Sequence, residues 1–338
     1  MEPELHRTVF GEGSLGGISG RLTWLGGGAV QVDDYDARSF PGFSYRYTVP
    51  AIFGQLGYDL TRDLTLSGSG RVDWHSRYGT HASPRAALVW HPGHWTIRGS
   101  WSGGWYAPTA IVDETENAGF SRLQPLGSLR AETAHTASLD VGWRKGALDA
   151  NITFFGSVVQ HALQLREVSP TSVALINVDG PTRTRGAEFL ARYRWRSLDF
   201  SASWVHVTAE QPGLQGRRSV PLTPRDSGGV TASLDLHGKG RVALESFYVG
   251  RQVLEDDPNR TVSRPYVILS ALGQVNLGEE VSLFANVENI LDVRQTRYES
   301  LLLRRRSASG SWTVDGWAPT EGRVINVGLR WRIGAEKE

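Results

Sequence analysis

The chain has 338 residues, a net charge of +1, 39 glycines, 12 tryptophans and no cysteine. The near-neutral charge gives no footprint for nucleic acid, and the lack of cysteine removes disulfides, thiolate metal sites and cysteine nucleophiles together. No apolar run approaches the roughly 18 residues that a spanning helix needs. The first residues, Met1-Glu2-Pro3-Glu4, carry neither the basic nor the apolar part of a signal peptide.

Along the chain, alternation with a period of two is the dominant pattern. The region Thr8–Asp33 is strand-like but hard to divide. Leu64, Leu66, Gly68, Gly70, Val72 and Trp74 then alternate with Thr65, Ser67, Ser69, Arg71 and Asp73. The same pattern recurs around Leu139 and Val141, around Ile152 and Phe154, and at Ala187, Phe189, Ala191, Tyr193 and Trp195. It returns around Val230 and Leu234, around Leu283 and Val287, and at Val327, Leu329, Trp331 and Ile333. Period two puts one set on each face of a strand. The polar set includes Arg71, Glu188, Arg192, Glu288 and Arg330 in segments of about ten residues, the length of a tilted membrane-spanning strand. Strands of soluble proteins average about five or six.

Connections alternate between short and long. Short ones lie near Asp59–Asp63, His91–His94, Arg144–Ala147, Arg196–Ser197, His237–Gly240 and Asn276–Glu280. Long ones lie near Gly103–Arg130, His161–Arg183, Thr208–Arg225, Arg251–Arg264 and Asp292–Arg323, with His75–Ala82 in phase with them. Tight turns on one side and long loops on the other are the habit of outer-membrane barrels. Trp90, Trp95, Trp143, Trp195 and Trp331 map to the short-turn rim, as an interfacial aromatic girdle requires. Trp74, Trp101, Trp105 and Trp204 map to the opposite ends. The fold expected is all-β: a transmembrane antiparallel up-and-down β-barrel of about 14 to 16 strands in one domain over residues 1–338.

Several motifs then resemble one family. Ser83-Pro84-Arg85-Ala86-Ala87-Leu88-Val89-Trp90, the strand to Trp101 and Gly104-Trp105-Tyr106-Ala107-Pro108-Thr109 look like the mid-barrel signature of TonB-dependent receptors. Asn177 with Thr184-Arg185-Gly186-Ala187-Glu188 resembles a strand opening of that family, and Pro221-Leu222-Thr223-Pro224-Arg225 the next strand entry. Asn286-Val287-Glu288-Asn289-Ile290-Leu291-Asp292 and the closing strand Gly322–Arg332 follow in the family's order. The resemblance implies a barrel of about 22 strands, of which this chain would be an N-terminally incomplete part. It also implies a globular plug, for which no segment here is a candidate. The tail Gly334-Ala335-Glu336-Lys337-Glu338 departs from the terminal aromatic common in outer-membrane proteins.

The family further implies uptake of a scarce ligand, such as a ferric siderophore, cobalamin or haem, driven through the plug by the inner-membrane TonB complex. The wall alone is expected to give no energised transport. Loop aromatics and arginines are the ligand candidates. Trp105, Tyr106, Tyr298, Trp312 and Trp317 could form a stacking vestibule. Arg185, Arg251, Arg264 and Arg297 could hold the oxygens of an anionic chelate. No catalytic constellation, resident metal or cofactor is expected. His91 and His94 read as exposed turn residues. Asp113, Glu114 and Glu116, and Glu255-Asp256-Asp257, read as solvated loop charge or hard-oxygen calcium ligands. Arg304-Arg305-Arg306 reads as a contact for lipopolysaccharide phosphate or solvent. Asn289 and Asp292 read as backbone caps. Rival readings are a passive channel, a barrel enzyme and a soluble β-rich binding module.

Overall fold

The computed structural model describes residues 4–111, 120–169, 171–213, 216–255, 257–306 and 312–332. Its strands run β1 (Glu4–Ser19), β2 (Leu22–Ala37), β3 (Tyr45–Asp59), β4 (Leu64–His75), β5 (Gly79–Trp90) and β6 (Trp95–Tyr106). They continue with β7 (Glu132–Lys145), β8 (Leu148–Gln160), β9 (Leu163–Ser169), β10 (Ser172–Asn177), β11 (Thr182–Trp195) and β12 (Leu198–Gly213). Then come β13 (Gly216–Ser219), β14 (Asp226–Asp235), β15 (Gly240–Val249), β16 (Tyr266–Asn276), β17 (Val281–Glu288) and β18 (Val324–Trp331). Sixteen of them make one sheet in the order β1 to β8, β11, β12, β14 to β18, with β13 on β12, while β9 and β10 pair as a separate hairpin. Every pair with a described register is antiparallel, so the sheet is a meander of the kind expected.

Two compact units make up the chain. The first comprises Met1–Asp140, Phe155–Arg185 and Glu210–Arg218, the second Val141–Phe154, Gly186–Ala209 and Ser219–Glu338. Within the first unit, β1 and β2 are each 16 residues long, so the ambiguous region of the sequence is one long hairpin closing at Gly20. The segment expected as the loop His161–Arg183 contains the β9–β10 hairpin. That hairpin was illegible because its partners lie in other loops. Thr208–Arg225, expected as loop, likewise contains the end of β12 and β13. Tight turns rely on left-handed backbone: Gly146 (φ 57°) closes β7 onto β8, and at Gly240 (φ 149°) a Cβ would meet the Gln274 carbonyl at 2.0 Å.

Side chains sort by parity. In the first unit Ile52 pairs with Val72 and Leu66 with Leu88 on one face, while Asp73 pairs with His81 on the other. In the second unit Leu234 pairs with Leu198 and Val242, and Leu283 with Leu329. These apolar faces are not covered by protein: Ile52 is 56% and Leu329 61% exposed. In water such a surface would be untenable at this extent; hydrocarbon is its natural solvent. Trp90, Trp95, Trp195 and Trp331 stand exposed at short-turn ends, as a girdle does. The buried apolar core lies instead among the long connections. In the first unit Tyr35, Ala37, Phe43, Ala110, Leu123, Val173 and Leu175 pack together. In the second, Trp317 is the largest buried side chain, 2% exposed.

Candidate functional site

In each unit the long connections leave the same ends of the strands, because consecutive antiparallel strands reverse direction at every turn. Two loop assemblies result, one in each unit.

In the first unit an aromatic ladder lines the polar face of the strands. Asp33 accepts hydrogen bonds from Thr8 (2.9 Å) and Tyr45 (3.1 Å) and contacts His6 at 2.7 Å. Tyr45 stacks on Tyr47, with ring centres 4.4 Å apart, and Tyr47 abuts His75 at 4.7 Å. His75 Nδ1 accepts the backbone N–H groups of Arg77 and Tyr78, which fixes that nitrogen as unprotonated. Tyr78 donates to the Pro108 carbonyl at 2.7 Å, and burial pushes its phenol well above the usual tyrosine range.

Trp105 belongs to this ladder. Its ring stacks on His81 at 4.3 Å, and its Nε1–H donates to Asp73, which also binds Arg71. Trp101 and Trp105 have the same parity, and the sequence groups them at one rim. Yet Trp101 pairs with Ala86 on the apolar face, while Trp105 lies with Asp73 and His81 on the polar one. The printed β5–β6 register ends at Arg85 with Ser102, so the strand rotates past that point through Gly103-Gly104. Tyr106 is exposed beside it. Arg185, at the loop end of β11, is exposed and forms no ion pair among the described residues.

In the second unit a cavity of about 540 Å³ opens at the loop ends of β12, β14, β15 and β16. Arg225, Arg251, Thr208, Thr223, Gln252 and Tyr248 are among its lining residues. Asp226 also lines it but is held by His206 at 2.7 Å. Neither Arg225 nor Arg251 forms an ion pair or side-chain hydrogen bond among the described residues, so both keep their donors for a ligand. Arg225 was not singled out from the sequence. It stood at the end of Pro221–Arg225, whose proline punctuation reads as a strand entry.

The other candidates of this unit support the loops. Arg264 lies over the Tyr298 ring at 4.9 Å and Arg306 over Trp312 at 5.2 Å. Arg297 binds Asp292, whose carboxyl is held below the usual range by the Arg323 N–H first and then by Arg294 and Arg297. Trp317 is buried under Arg260, and its Nε1–H donates to Glu299 at 2.5 Å. Gln295, with no exposure, donates to Glu299 and the Asp315 carbonyl and accepts from the Trp317 N–H. Asn289 (φ 49°) caps its turn, exchanging hydrogen bonds with the backbone of Val293 at 2.8 Å. Of the acidic loop candidates, Asp113, Glu114, Glu116 and Asp256 lie outside the described residues, as do Ile333 and the tail Gly334–Glu338. Among the described residues no three His, Asp or Glu side chains gather as a metal would require.

With this geometry in view, the comparisons with known proteins are direct. The profile of the family described as TonB dependent receptor-like, beta-barrel, matches residues 7–290. The chain belongs to that family. An iron-regulated outer membrane virulence protein of Vibrio cholerae is 26% identical over 171 residues, covering 45% of this chain and 26% of that protein. A ferric enterobactin receptor of Pseudomonas aeruginosa superposes with a TM-score of 0.77 at 18% identity, over 97% of this chain and 54% of its own. The siderophore receptor PirA of the same organism gives 0.73 at 14% identity, over 97% of this chain and 57% of its own. The FrpB iron transporter of Neisseria meningitidis gives 0.70 at 14%, over 94% and 53%. The fold is thus that of TonB-dependent receptor barrels, and the chain spans about half the length of these structures.

Proposed function

We propose that the chain forms the wall, in one barrel domain, of an outer-membrane receptor for a scarce anionic small molecule, a ferric siderophore being the leading class. The observation that carries this reading is the loop-end cavity of about 540 Å³ with Arg225 and Arg251 unengaged beside it. Two guanidiniums in a partly apolar cleft suit a chelate whose oxygens carry negative charge. The relatives' names support an iron chelate in particular. Energy for uptake would come from the TonB complex through a plug. Exposed Trp105-side aromatics, above all Tyr106, would offer stacking surface in the first unit.

The test is binding of ferric catecholate, ferric hydroxamate and cobalamin to outer membranes carrying the protein. One class should bind, and the paired change Arg225→Ala with Arg251→Ala should weaken it at least about tenfold, since each charge-assisted bond contributes about 1.5–3 kcal/mol. Equal binding by the variant would overturn the cavity assignment. Cells making this chain alone should show no energised accumulation, which needs the plug and the TonB complex as well.

A further inference from the structure

The connection between β15 and β16, residues 250–265, supplies Gly250, Arg251, Gln252, Val253, Val262 and Pro265 to the wall of the cavity. At its base the wall is tied to β14 and the segment before it, the Gly250 N–H donating to the Asp226 carbonyl at 2.8 Å and the Leu222 N–H to the Val253 carbonyl at 2.9 Å. It is further held by the connection between β17 and β18, residues 289–323. Gln252 Nε2–H donates to the Trp317 carbonyl at 3.0 Å, and the Glu255 N–H to Asp315 at 2.8 Å. The third tie is ionic: Arg260 Nε–H donates to Glu299 at 2.8 Å, the two side chains being 17% and 2% exposed.

Glu299 has three of its roughly four acceptor positions filled. One oxygen accepts from Trp317 and Gln295, the other from Arg260. Asp257 of the opposite connection interacts electrostatically with this covered carboxylate. One Asp257 oxygen accepts the Asn259 N–H at 2.7 Å; the other, Oδ2, is covered and has no hydrogen-bond partner among the described residues. Two charged carboxylates in contact repel, and an acceptor sealed from water without a donor is costly. A single proton on Asp257 removes both faults at once, because the pair then becomes an O–H···O⁻ hydrogen bond.

We propose that Asp257 and Glu299 form a proton-operated latch between the two connections, closed when they share one proton and loosened when both are ionised, and that the latch sets the cavity wall beside Arg251. The groups that face Asp257 are Glu299 from the 289–323 connection and, from its own, the N–H groups of Asn259 and Arg260. The Arg260 guanidinium is committed to Glu299 and to the Trp317 ring. Burial, then the charge of Glu299, raises the Asp257 carboxyl above the ordinary carboxylate value of 3.8. A raised acid is held more tightly in the closed form than in the open one. The latch is therefore fully stable below the ordinary carboxylate range, and it loses stability as pH climbs through the raised value of Asp257. Acid closes it and alkali opens it. The latch itself stands on the loop geometry; its consequence for ligand capture rests on the cavity reading above.

Amide hydrogen exchange of the full protein in outer-membrane vesicles tests this, corrected for intrinsic pH dependence, from pH about 4 to about 8. Protection of residues 250–265 should fall about tenfold as pH rises, while the β9–β10 hairpin keeps its protection. D257N, whose amide can donate to Glu299 at any pH, should hold the segment protected and flat. Equal pH slopes for residues 250–265 and the hairpin in the wild-type protein would overturn the latch without any variant. So would a D257N slope matching the wild type. If the slope is absent but ferric chelate still binds through Arg225 and Arg251, the latch fails and the cavity reading stands. The opposite pattern removes the cavity reading alone.

Discussion

The two loop assemblies reach the same end by opposite means. In the first unit the connections are held by apolar burial. Phe43, Phe120, Val173 and Leu175 meet around Tyr35, the β9–β10 hairpin contributing Val173 and Leu175 to that cluster. In the second unit one tryptophan is caged by polar groups, Gln252, Gln295, Glu299 and Arg260, nearly all of them satisfied. Apolar packing tolerates rearrangement, because hydrophobic contacts have no direction. A buried polar network specifies one arrangement, because each member left unpaired costs free energy. The first assembly can therefore adjust its packing, while the second holds one arrangement that the gain or loss of a single proton can release.

The largest effects should come from removing each anchor. Trp317→Ala and Phe43→Ala should each cost about 3–5 kcal/mol in local stability, read as lost amide protection in the loops of the unit concerned. The comparison breaks if either change spreads evenly over the strands. Next is the contrast between sheet faces. Val230→Arg on the exposed apolar face should cost about 2–4 kcal/mol of folding into lipid vesicles, and Thr231→Arg on the other face much less. Equal costs would mean that lipid does not cover the Val230 face.

Smaller changes sharpen the difference in kind. Gln295→Leu keeps volume but strands the Trp317 N–H. It should cost about 2–3 kcal/mol, whereas the volume-conserving Leu175→Met in the first assembly should cost less than about 1.5 kcal/mol. Matching losses would erase the distinction between the assemblies. Smallest is Tyr35→Phe, which removes a 2.5 Å hydrogen bond to Glu4 but keeps the ring, at about 1 kcal/mol by thermal unfolding.

Strands were legible where local chemistry repeats. Alternation at Leu64–Trp74 and at Val327–Trp331 marks β4 and β18 because each second residue meets the same solvent. The glycine-rich run through Gly26-Gly27-Gly28 hid β2, since glycine has no side chain to show a face. Among site residues, Arg251 was visible as an arginine opening a long loop, and the structure sets it beside the cavity. Trp317 and Arg297 were equally visible as loop aromatics and arginines, yet one is buried in packing and the other binds Asp292. Residue type could not separate these outcomes, because both use the same amphipathic chemistry. Asp257 and Glu299 lie in different connections, and nothing near either residue announces the other.

The sequence by itself determined the strand class, the phase of short and long connections, the aromatic rim and the family. Each of these follows from periodicity, turn residues and motif order, which act over a few residues at a time. Only the tertiary structure decided the placing of Trp105 with Asp73 on the polar face, the pairing of β9 with β10, the gathering of Arg225 and Arg251 at one cavity, and the interaction of two carboxyls from two loops. Those arise where segments far apart in the chain are brought together, and the free energy of such contacts is set by what each side chain finds on arrival.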